Sequence, residues 1–192
     1  MKKLLIILVI FMATINESIA ANTLSKRQLH LANLASLEAQ GDLDRLAPAI
    51  NEALDGGVTI NEIKEAFFFF FAYTGFPRSL NALGTLSKVL DARKAEGKKD
   101  DEGKAWKRPK VWDDAKLALK KGTETQTKLS GKPFNYDFCP QDDYYLKAHL
   151  FGDIFAGDQL SASDREIVTV AALASIKGVA PQLTAHQKGA VN

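Results

Sequence analysis

Apolar positions recur at helical spacing along most of the chain. From Leu24 to Ala39, Leu24, Leu31, Leu34 and Leu37 fall near one helical face, Ser25 stands at the N-cap position and Gly41 ends the run. Asp42 opens a second helix through Leu54, with Leu43, Leu46, Ile50 and Leu54 as its stripe and Gly56-Gly57 as its stop. Thr59 and Glu62 then have capping-box spacing, so a third helix should start there. The residues that follow carry few polar atoms, and the consecutive phenylalanines Phe67 to Phe71 cover every azimuth of a helix, which predicts burial on all sides. Gly75, Phe76 and Pro77 close this segment, and Pro77 suits the first turn of a further helix ending near Arg93.

Between Asp91 and Lys110 thirteen of twenty residues are charged, with both signs mixed, so the run reads as a solvated linker or frayed helix end rather than a basic stripe. Trp106 and Trp112 flank its end and are expected to fasten it to the core. Val111 to Leu129 predicts another helix, with Lys121-Gly122-Thr123 a candidate break. Pro133 and the aromatics of F-N-Y-D-F predict a loop pressed against the body. Pro140 opens a helix through Phe155, on which Tyr145, His149 and either Leu146 or Leu150 recur at helical spacing. Ser161 and Asp164 repeat the capping arrangement, and R-E-I-V-T-V-A-A-L-A-S-I-K-G-V-A-P-Q-L-T-A-H repeats the apolar helix, glycine turn and second helix.

The first twenty residues change the picture of where the chain works. Lys2 and Lys3 precede an apolar run from Leu4 to Met12, and Ser18-Ile19-Ala20 offers small residues for cleavage, the pattern of a secretory signal peptide. The run is too short to cross a bilayer, so export to the periplasm or beyond is expected, with no membrane attachment after cleavage. The formal charge of +2 includes +1 from this segment, which leaves no field to recruit nucleic acid. Cys139 is the single cysteine, so no internal disulfide can form. The division expected is a signal peptide at 1–20, N-terminal helices and a first repeat at 21–95, a charged linker and connecting helix at 96–135, and a second, shortened repeat at 136–192.

The stretch A-Y-T-G-F-P-R-S-L-N-A-L at 72–83 resembles the core hairpin of the carboxymuconolactone decarboxylase family, which includes alkyl hydroperoxidase D. The connector G-T-E-T-Q-T-K-L-S-G, the run H-L-F-G-D-I-F and the second hairpin are similar to exported, two-repeat members. The resemblance implies an all-α fold: an alkyl hydroperoxidase D-like helical bundle in which two pseudo-repeated hairpins follow an N-terminal helical pair. It also implies a homo-oligomer, trimer or hexamer, and no cofactor. Better-known members carry C-x-x-C-x-x-x-H on the hairpin. Thr74, Pro77 and Asn81 take those positions in the first repeat, and Val179, Gln182 and His186 in the second. Peroxidase chemistry therefore lacks its thiol pair.

The decarboxylase branch implies a different mechanism, proton transfer on a small anionic lactone or carbonyl acid. Glu166 and His186 match the family's acid and histidine and are the expected catalytic pair, though Glu166 to Val179 is one residue longer than the usual spacing. Arg78, Asn81, Glu62 and His149 are the expected substrate-binding set, Arg78 through its planar fork. Each has a structural alternative: Glu62 as a cap, Arg78 as an interface residue, Glu166 and His186 as an ion pair. His149 and Asp153 share a helix face without a third ligand, so no metal site is expected. Three classes stay open: a lactone-type acid–base enzyme, a redox protein using Cys139, and a non-catalytic oligomeric or binding protein.

Overall fold

The computed structural model describes residues 24–189, and the expected signal peptide lies outside them. Helix α1 (Lys26–Gln40) starts on Ser25, which with Gln28 makes a full capping box. Leu31, Leu34 and Leu37 are buried as expected, whereas Leu24 lies before the helix and is exposed. Helix α2 (Leu43–Asp55) starts on Asp42 and buries Leu46, Ile50 and Leu54. Helix α3 (Ile60–Phe69) begins at the Thr59–Glu62 capping box.

The phenylalanine tract is not one straight helix. It bends at Phe70, continues as the short α4 (Phe71–Thr74), and passes through Gly75 into α5 (Phe76–Ala95). At the bend the Ser79 hydroxyl donates to the Phe67 carbonyl at 2.8 Å, so the hairpin's second arm holds a carbonyl of its first. Phe67, Phe69 and Phe70 are fully buried, but Phe68 and Phe71 keep partial exposure and face other aromatics, which corrects the expectation of burial all round.

The charged run is a pinned strap. Arg93, itself buried, donates to both oxygens of Asp100 and to Asp55 and Asn51. The carbonyls of Asp101 and Glu102 accept the free N–H groups of Ile60 and Asn61 at 2.9 and 3.1 Å, capping α3 with backbone. Gly103 permits this approach: its φ is +74°, and a Cβ there would fall 2.4 Å from the Thr59 hydroxyl. The expectation of a solvated linker saw the charge and missed these backbone anchors.

A 3-10 turn (Lys110–Asp113) leads to Asp114, which caps α6 (Ala115–Ser130). The helix runs unbroken through Gly122, contrary to the expected break, because that glycine lies against the backbone of its neighbour. The neighbour is α7 (Pro140–Tyr145), which widens into a π-helical segment (Leu146–Ile154) packed along α6. The loop before it is tied by polar groups, Lys147 to Asn135 and the Tyr136 N–H to Asp143. Its rings are not pressed inward: Phe134 and Tyr136 are exposed and Phe138 almost wholly so.

The second hairpin is α8 (Ala162–Ala174), with a Ser161–Asp164 capping box, and α9 (Ala180–Gly189). Helix α1 packs on α2 and α8 and also touches α3 and α5, so it contacts both hairpins. Arg27 on α1 pairs with Glu62 at 2.6 Å and with Asp164 at 3.0 Å, one guanidinium holding the capping carboxylates of both hairpins. The fold is all-α, with no strand among the described residues.

Candidate functional site

Glu166 sits one turn into α8 and is buried, while His186 projects from the middle of α9. The hairpin brings them together, with Nδ1 of His186 2.8 Å from Oε2 of Glu166. The other carboxylate oxygen, Oε1, is buried without a partner. Tyr73, from the first hairpin, sets the edge of its ring against the imidazole at 5.6 Å between centroids. The Tyr73 hydroxyl is also buried without a hydrogen-bond partner, although the Thr169 hydroxyl beside it, which donates to the Arg165 carbonyl at 2.7 Å, keeps lone pairs that could accept from it. Burial and the adjacent Glu166 charge push the phenol well above its ordinary range. The His186 side chain is 13% exposed, which leaves a narrow opening to solvent.

Thr74, the residue after Tyr73, meets a second carboxylate, Glu38 on α1. Its Oε1 is 2.8 Å from the hydroxyl of Thr74, and its Oε2 is buried with no partner. Burial pushes the Glu38 carboxyl up to about 7, opposed by the Thr74 hydrogen bond and the field of Arg78. Hydrogen-bond valence agrees. The Thr74 hydroxyl has one proton and two acceptors in reach, Glu38 at 2.8 Å and the Phe70 carbonyl at 2.9 Å. A protonated Glu38 supplies the missing donor.

A carboxyl raised in the folded state keeps a proton that the unfolded chain has released. Its contribution to stability is therefore full below the unfolded value near 4.5 and is lost as pH rises to about 7. Denaturant midpoints across this interval should fall by the equivalent of roughly 3 kcal/mol. Glu38→Gln, which cannot ionise, should flatten that dependence and be the more stable protein at pH 8.

The remaining expected site residues do not join the pair. Glu62 has its oxygens committed to Arg27, the Thr59 N–H and the Thr59 hydroxyl. Arg78 and Asn81 lie on the exposed side of α5, next to exposed Phe76 and Leu80, and Arg78 makes no ion pair among the described residues. His149 meets Asp153 at 3.2 Å on an exposed face of the π segment, with no third ligand-type side chain among the described residues. Cys139 precedes α7, partly buried, with its sulfur 3.6 Å from Gln141 Oε1.

Four polar residues were missed from sequence. Glu38 stands at an i, i+4, i+7 position of the stripe Leu31, Leu34, Ala35, and Glu65 interrupts the apolar run before the phenylalanines. A charge in an apolar stripe is the signal that could have found both. Arg165, the buried partner of Glu65, and Tyr73 carry no such mark.

Residues 8–88 match the model of the carboxymuconolactone decarboxylase family. The match spans α1 to most of α5 and begins inside the segment read as a signal peptide. No curated protein matches the chain.

Proposed function

Starting from the chain's membership of the carboxymuconolactone decarboxylase family, carried by residues 8–88, we propose that it is an exported protein performing acid–base chemistry on a small lactone or carbonyl acid. The observation behind this reading is the 2.8 Å contact between His186 and buried Glu166, with Tyr73 alongside. When Nδ1 carries the proton it donates to Glu166, which orients the ring and stabilises an imidazolium, while Nε2 keeps the lone pair that can take a substrate proton. The spare oxygen of Glu166 and the Tyr73 hydroxyl add one acceptor and one donor beside the ring. Export rests on Lys2, Lys3, the apolar run and Ser18-Ile19-Ala20.

A second reading has its own support. The two cavities that Trp112 lines include neither Glu166 nor His186, and α5 exposes Phe76 and Leu80 at 59% and 61% beside Arg78. That face suits a subunit contact, as a non-catalytic oligomer of this fold would use. Turnover of γ-lactone carboxylates separates the readings. The parent should turn over such a substrate, and His186→Ala should lower kcat at least about a hundredfold with its circular dichroism unchanged. Unchanged kcat removes His186 from the mechanism, and an inactive parent selects the oligomer.

A further inference from the structure

The pinned strap borders a half-open cavity whose lining includes neither Glu166 nor His186. Its volume is about 470 Å³, in the range that takes small organic ligands. Phe68 of α3, Leu83 of α5, and Trp106, Pro109 and Trp112 of the strap supply apolar walls. The rings form a partial box: Trp106 and Trp112 lie 5.8 Å apart between centroids, and Phe68 lies 6.2 Å from Trp112. Glu65 forms part of the lining, but its charge is met by Arg165 and by the N–H groups of Gln159 and Leu160. Lys64 also lines the cavity and, among the described residues, has no carboxylate partner. The excess charge of the lining is therefore positive.

The geometry points to this cavity as a binding site for a small aromatic carboxylate, its ring against Trp106, Trp112 and Phe68 and its acid group on Lys64. Aromatic walls favour a flat ring through edge and face contacts, and a lone ammonium on an apolar rim favours one anion over a neutral polar group. A second cavity also touches Trp112, but Asp113, Asp114 and Asp153 line it, so an anion is repelled there.

The chain has two tryptophans, and both line the proposed site, so intrinsic emission reports on it. Titration of the full chain with 3-phenylpropionate should change tryptophan emission saturably, at least about fivefold more tightly than 3-phenylpropan-1-ol. Lys64→Gln, an exposed substitution that leaves the fold intact, should erase that preference and keep the weaker alcohol response. No saturable change, equal affinity for acid and alcohol, or an unaltered preference in Lys64→Gln would each overturn the assignment. An emission shift on diluting the protein alone, with no response to the acid, would give the cavity to a second copy and overturn it as well. His186→Ala should bind the acid normally, so this result and the turnover result fail separately.

Discussion

Replacing Gly122 with alanine is expected to destabilise the fold by about 3 kcal/mol or more, at the upper end of what overpacking costs. A Cβ at this position would fall 1.7 Å from the Lys147 carbonyl oxygen, 2.6 Å from its carbon and 2.8 Å from the Gly152 nitrogen. All three are backbone atoms, so no side chain can rotate aside, and α6 must separate from the π segment. Gly152 faces the same contact from the other side, 2.3 Å from the Ala118 carbonyl oxygen, and Gly152→Ala should behave alike. Gly84 supplies the control. It lies in α5 with nothing within 4 Å of the place a methyl would take, so Gly84→Ala should stabilise by about 0.5–1 kcal/mol through helix propensity alone. Urea titrations of the three variants measure the contrast. Equal midpoints for Gly122→Ala and Gly84→Ala would mean that the two backbones do not touch.

The second large effect lies at Glu65 and Arg165, where removal of either partner should cost about 3–5 kcal/mol. The two losses should be unequal. With Arg165→Met, Glu65 still accepts from the backbone of Gln159 at 3.0 Å and of Leu160 at 3.4 Å. With Glu65→Leu, the guanidinium stays buried between Phe69 and Phe155 with Nη1 already unpartnered, and burial already pulls its pKa down. Glu65→Leu should therefore be the worse variant. The double change should recover at least about 1 kcal/mol of the summed losses, since no charge is then stranded. Thermal and urea unfolding of the four proteins complete the cycle, and additive losses would show that the pair is not coupled.

The helices were legible because their starts are written in short-range chemistry. Ser25, Asp42, Thr59 and Ser161 each cap where their spacing says, and glycine closes α1, α2, α4 and α6. Glu166 and His186 stand out in the sequence because they match the family's acid and histidine positions, and the second hairpin brings them to 2.8 Å. What stayed hidden depends on partners far along the chain. Gly122 reads as a helix breaker until the Lys147 backbone is laid against it. Phe134, Tyr136 and Phe138 read as rings pressing their loop against the body, yet the loop is held by Lys147 and Asp143, so the rings stay outside. The charged run between Arg93 and Lys110 likewise hides two carbonyls that cap α3, and charge patterning carries no information about carbonyls.

Arg27 and Gln28 meet Asp164, the latter pair 136 residues apart, and Ser36 meets Ser175 across 139. Helix α1 therefore cannot reach its resting place until the chain has been made past Ser175. Contacts of such long sequence separation are slow to close, and a nascent chain would have to wait with an apolar groove uncovered. A protein built this way should depend on a holding chaperone during synthesis.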